Sequence, residues 1–270
     1  LTYRLHKAGR YYAQKAKELV TSDSRAPVIY LRSFAADPMV TKVRVSGITE
    51  EEQIVGILNT IGPVISLDNP VTEVAAPGAK RISVGDLEWK NKVFGLMQKA
   101  RLVVIRLGDT PSLHWEIIQA RRILQPEKLL LIVPLQKLFD YEGFKSQADR
   151  ELGIRVQHTD FSEPISQILI RILTLGRRFR DYYSFQGFVY FDDEWNGMVA
   201  APRFTWRGYL HSPLTQPGRA NIAYVLKPVF ERVGVPEPAL PFNWFLLMLV
   251  IAIGGGGIVG LLAHLFGKSV

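Results

Sequence analysis

Continuous aliphatic runs that take turns with amphipathic stretches limit the fold of this 270-residue chain more than any other feature. The runs are "APVIYLRSF" (26–34), "PVISLDNP" (63–70), "RLVVIRLG" (101–108), "KLLLIVP" (128–134) and "IRVQHT" (154–159). Strands that lack polar alternation are buried on both faces, as in parallel sheets covered by helices. Between them, 49–62 predicts a helix: Thr49 and Glu52 make a capping box, Ile54, Ile57, Leu58 and Ile61 form one stripe, and Gly62 ends it. Residues 86–100 repeat the helical period through Leu87, Val93, Leu96 and Met97, and 112–124 repeat it after Ser112 as N-cap. A polar stretch from about 136 to 152 and the segment 161–179 complete the helices, with a loop of small residues over 71–85. This order predicts an α/β fold, a flavodoxin-like doubly wound parallel sheet.

The chain changes character after residue 180. "FQGFVYFDDEWNGMVAAPRFTW" (185–206) alternates aromatic and polar residues, and Asn196-Gly197 is the expected hairpin turn. A short helix broken at Pro228 and the linker "VPEPALP" follow, so 181–240 is expected to form a small β-rich appendage. From Phe242 to Gly267 no Asp, Glu, Lys or Arg occurs, which predicts a transmembrane helix with a short tail over 241–270. Trp244 would sit at one interface, with Lys268 beyond the other. Gly254, Gly256, Gly257 and Gly260 would let another transmembrane helix approach closely, Gly256 and Gly260 in a GxxxG spacing. Lys227 and Arg232 before the span, against Lys268 after it, favour a single-pass protein with its main domain in the cytoplasm. At the other end, 1–24 reads as a basic amphipathic helix suited to a membrane surface, leaving 25–180 as the α/β domain.

Composition narrows the chemistry. A 47% hydrophobic, 21% charged chain without cysteine is globular and supports neither a disulfide framework nor thiolate catalysis. Its net charge of +8 suits anionic lipid headgroups. Nucleic acid is the less favoured partner, because no zinc-finger spacing, RNP-like run or recognition-helix pattern accompanies the charge. His6, His114, His158, His211 and His264 share no ligand spacing, so no metal is expected. No Walker-type or GxGxxG loop and no nucleophile elbow occurs, which disfavours phosphoryl transfer, hydride transfer and serine hydrolysis.

The succession of strand, helix, strand, small-residue loop, helix, strand and a helix carrying Ser112, Trp115 and Glu116 resembles the TIR (Toll/interleukin-1 receptor) domain family over roughly 26–180. The nearer likeness is a bacterial, membrane-anchored variant with "LRSF" in the first strand, where the family usually has a "SY" pair. Catalytic TIR domains cleave NAD and depend on a glutamate, onto which Glu116 maps. Arg32, Ser33 and Phe34 map onto the loop lining the nucleotide pocket, and 68–83 onto the mobile loop after the second strand. The resemblance thus implies Glu116 as the catalytic residue and NAD as substrate or ligand, with no further cofactor required.

Ligands of open α/β sheets bind beyond the carboxyl ends of the strands, where Arg32, Asp68 and 108–116 are expected. There Glu116 could hold ribose hydroxyls, Arg32 could meet phosphate, and Phe34 or Trp115 could stack on a planar ring. Ser112 and Asp68 would complete the binding set. A plainer account also stands: acids favour the first turn of a helix through its dipole, and Trp115 suits a core. Two functions follow, a membrane-anchored enzyme or binder of NAD or a related nucleotide, and a non-catalytic scaffold subunit that self-associates or joins a membrane complex.

Overall fold

The computed structural model describes residues 23–32, 49–68, 80–83, 89–135, 139–156, 183–212, 218–240, 242–244 and 248. In chain order these form β1 (Val28–Leu31), α1 (Glu50–Leu58), β2 (Val64–Asp68), β3 (Lys80–Ser83), α2 (Trp89–Lys99), β4 (Leu102–Arg106), α3 (Pro111–Ile123) and β5 (Leu129–Pro134). There follow α4 (Tyr141–Leu152), β6 (Arg155–Val156), β7 (Phe185–Phe191), β8 (Asn196–Ala200), α5 (Trp206–Leu210), α6 (Arg219–Val225) and α7 (Lys227–Arg232). The protein is α/β. Its strands join in one sheet of order β3-β2-β1-β4-β5-β7-β8-β6 among the described residues.

The first five strands of that order are mutually parallel. Strand alternation divides the core into two layers. Val28 and Tyr30 of β1 with Leu102 and Val104 of β4 face α1, α6 and α7. Ile29, Leu31, Val103 and Ile105 face the opposite way, onto α2, α3 and α4. Every residue of β1, β4 and β5 is buried, so the lack of polar alternation in their sequences is explained. The capping box of α1 forms as read: Glu52 N–H donates to Thr49 Oγ1 (3.1 Å) and Thr49 N–H to the Glu52 carboxylate. Gly62 lets the chain turn tightly into β2, because a Cβ there would lie 2.3 Å from the Ala26 carbonyl oxygen.

Four sequence expectations require correction. Within the expected loop, residues 80–83 form a strand parallel to β2. In the fifth run, 154–159, the described residues do not extend the parallel series beside β5: Arg155 and Val156 pair with β8, at the sheet's far edge among the described residues. The place beside β5 belongs to β7, running antiparallel. Phe185, Phe188, Val189 and Phe191 give β7 apolar side chains for both layers, whereas Arg155 is exposed. The expected β-rich appendage is therefore built into the main sheet through its hairpin. Finally, Asn196 and Gly197 lie in β8, and the turn is Asp192–Trp195 with Trp195 at φ 65°. The Asp192 carboxylate accepts N–H bonds from Glu194 (3.0 Å) and Asn196 (2.8 Å), shaping the turn ahead of the Asn196-Gly197 pair. Gly197 serves packing: a Cβ would come within 3.0 Å of Val156 and Val189 side chains.

Residues 1–22 of the helix expected over 1–24 and all of that expected over 161–179 lie outside the described residues, as does nearly all of 241–270; residues 23 and 24 are not helical. Among the described residues no helix is long and apolar enough to cross a membrane.

Because β7 joins both core layers, Phe188→Ala should cost about 3–5 kcal/mol, as for a fully buried phenylalanine. Urea unfolding followed by far-ultraviolet circular dichroism should show one transition moved to lower urea. A separate early transition with the main one unmoved would mean that the hairpin folds apart from the sheet.

Candidate functional site

The connections reverse direction between β1 and β4: β1 leads outward to β2 and β3, β4 to β5. In open α/β sheets, such a reversal leaves a crevice beyond the strands' carboxyl ends. Arg32 follows β1 and Arg106 ends β4, both on the α1 side of the sheet. The helix α1 meets them with the acids of its first turn. Glu52 is committed to the cap, and Glu50 and Glu51 turn inward, each 1% exposed.

Arg106 Nη1 lies 2.8 Å from Glu50 Oε1, and Arg32 Nε lies 2.8 Å from Glu51 Oε1. Ser184, just before β7, donates its Oγ–H to Glu50 (2.8 Å to Oε2), and its backbone N–H donates to the same carboxylate. Arg106 Nη2 donates to Ser184 Oγ (2.7 Å). Burial opposes the Arg106 charge, but neighbouring Glu50 and Tyr30 together outweigh it and hold the guanidinium above its ordinary pKa. The Tyr30 hydroxyl sits in the same group, and burial pushes its pKa up to about 12, so it remains protonated. From the segment leading into β7, Tyr183 donates to Gln53 Oε1 of α1 (2.7 Å). This polar group draws β1, β4, α1 and the start of β7 to one point.

On the other side of the sheet stands α3. Pro111 opens the helix and Thr110 holds the N-cap position, so Ser112 is the second helical residue and not the cap. Ser112 is exposed, and its hydroxyl contacts Thr110 Oγ1 at 3.3 Å. Leu113, Glu116, Ile117 and Ala120 make the buried stripe of α3. Glu116 thus occupies a core position in the second turn, beyond the favourable reach of the helix dipole, which falls off within the first. It is 8% exposed, and its Oε2 has no hydrogen-bond partner among the described residues. Burial alone pushes its carboxyl from the ordinary 4.5 up to about 8, so the group is neutral at pH 7. Beside it, Trp115 packs edge-on against Trp89 of α2 (centroids 5.0 Å apart), with Lys90 Nζ 5.5 Å from the Trp115 ring.

The structure therefore brings Ser112, Trp115 and Glu116 together on α3 but places Arg32 across the sheet from them. Ser33 and Phe34 lie outside the described residues. Asp68 ends β2 in register with Ser83. Arg32 is held by Glu51 at 5% side-chain exposure and is not presented to solvent. The sequence reading missed Glu50, Arg106, Ser184 and Tyr30. One signal was available: an arginine inside "RLVVIRLG", otherwise aliphatic, demands a buried partner. Among the described residues no group of three His, Asp or Glu could hold a metal ion.

Two consequences can be measured. Between pH 4.5 and about 8 the folded protein binds the Glu116 proton more tightly than the unfolded chain, so this group makes stability fall as pH rises through that window. Glu116→Gln should flatten that fall and be the more stable protein at pH 8, by urea unfolding at stepped pH. Equal slopes for both proteins would rule out a raised Glu116 pKa. Arg106→Ala strands the buried Glu50 carboxylate and should cost about 3–5 kcal/mol in the same assay. A loss below about 1 kcal/mol, typical of an exposed pair, would contradict the buried geometry.

No protein-family model matches this sequence, and comparison with curated proteins returns no match.

Proposed function

We propose that this chain is a membrane-anchored protein whose flavodoxin-like, TIR-like α/β domain binds NAD or a related nucleotide at the carboxyl edge of its sheet and cleaves it with Glu116. The observation that carries the reading is the buried Glu116 carboxyl, 8% exposed and with one oxygen unpartnered among the described residues, on the helix that follows β4. An unpaired buried carboxyl costs stability, and a strongly shifted acid near a strand's carboxyl end is a recognised mark of functional sites. Ribose hydroxyls would supply the missing partners. Once ionised, Glu116 would offset the positive charge that grows at the anomeric carbon as the bond to the departing nicotinamide breaks and a water molecule adds in its place, losing a proton. Trp115, half-buried beside it, offers a ring edge for a planar base. Because the acid is neutral below about pH 8 without ligand, turnover should climb with pH towards that value.

One observation favours a second reading, a non-catalytic scaffold: Glu51 engages the arginine expected to meet phosphate. The two readings separate in one experiment. Full-length protein reconstituted in lipid should release nicotinamide from NAD, and Glu116→Ala should lower the rate by at least about 100-fold. If wild type and Glu116→Ala are equally inert while a mild-detergent pull-down recovers partners that Gly256→Leu loses, the scaffold reading replaces the enzyme.

A further inference from the structure

We infer that the face bearing α5, α6 and α7 lies against an anionic bilayer, held there by a fixed joint between the domain and the start of the apolar run at Phe242. This rests on the membrane-anchored reading and adds an orientation to it. The joint is built from specific contacts. Asn243 N–H donates to the Leu210 carbonyl (2.7 Å), and Asn243 Nδ2 donates to the Ser212 carbonyl (3.1 Å). His211 Nδ1 lies 3.0 Å from the Leu240 carbonyl oxygen. The His211 ring meets Phe242 edge-on with centroids 5.3 Å apart, and Phe242 meets Trp244 likewise at 4.7 Å. Backbone, amide and ring contacts therefore seat Leu240 and Phe242–Trp244 on the end of α5, at the start of the uncharged run.

Beyond the joint, exposure indicates what covers this surface. Trp244 is 66% and Met248 60% exposed, the large exposed hydrophobics among the described residues. An indole gains most at a membrane interface, where its ring is shielded and its N–H stays wet. On the same strip, the Arg207 guanidinium lies 4.9 Å over the Tyr224 ring, whose centroid is 6.4 Å from His211. Arg207 is exposed and makes no ion pair among the described residues, whereas neighbouring Lys227 is tied to Glu237 (2.9 Å) and Glu231 (3.8 Å). A tryptophan, a methionine and a cation on a tyrosine, all leading into an uncharged apolar run, match the headgroup region of an anionic leaflet. The opposite face, with α4, would then point into the aqueous phase.

The chain contains no cysteine, so single labels can be placed without background. Lys227→Cys on α7 and Arg150→Cys on α4 mark the two faces, each carrying an environment-sensitive fluorophore. The full chain is reconstituted in phosphatidylcholine vesicles, with and without phosphatidylglycerol, that contain a headgroup-level nitroxide lipid. The label at 227 should be quenched severalfold more than the label at 150, and more so with phosphatidylglycerol. Arg207→Glu should remove the phosphatidylglycerol dependence. His211→Ala with Asn243→Ala should equalise the two labels while circular dichroism stays unchanged. Equal quenching in the unaltered background, or stronger quenching at 150, overturns the orientation although flotation with vesicles persists. Failure to float with vesicles removes the anchor itself, and this inference with it.

Discussion

The Glu50–Arg106 pair is the contact on which the carboxyl edge of the sheet depends. It ties the N-terminus of α1 to the end of β4, and Ser184 joins both partners from the start of β7. Elements more than a hundred residues apart in sequence thus meet at one buried charge pair. Taking two charges out of water is costly, and only mutual attraction with additional hydrogen bonds offsets it. Here the additional bonds come from a serine hydroxyl and a backbone N–H. Removing any one participant leaves another buried charge short of partners.

The same pair shapes the functional proposal. Because Glu50 and Glu51 neutralise Arg106 and Arg32, the α1 side of the sheet carries no presented cation at the strand ends among these residues. The α3 side is the reverse: Glu116 is a lone acid in an apolar stripe, with Lys90 above the neighbouring indoles. On the α1 side both arginines have carboxylate partners, and the buried Tyr30 hydroxyl has no hydrogen-bond partner among the described residues. On the α3 side Glu116 Oε2 also has no partner among the described residues, and this is the acid on which the proposed chemistry rests.

Local signals proved good guides to element type. The Thr49 cap and the fully buried β1, β4 and β5 stand where the sequence placed them, since each depends on neighbours a few residues away, whereas α1 ends at Leu58, before the Gly62 stop that the sequence offered. The Asn196-Gly197 dipeptide misled for the opposite reason. Its turn preference is real but small, and register with β7 together with the Asp192 carboxylate outweighed it.

By itself, then, the sequence determined that this is an α/β protein, that Thr49 caps α1, and that β1, β4 and β5 are buried on both faces. Periodicity and capping are local physics, written within one or two helical turns. Only the tertiary structure decided that β7 and not 154–159 lies beside β5, that Arg32 and Glu116 fall on opposite faces, and that Glu50 meets Arg106. Strand order and charge pairing join residues far apart along the chain. Their selection depends on which segment fills both core layers and which buried charge finds a partner, and neither comparison can be made within a short window of sequence.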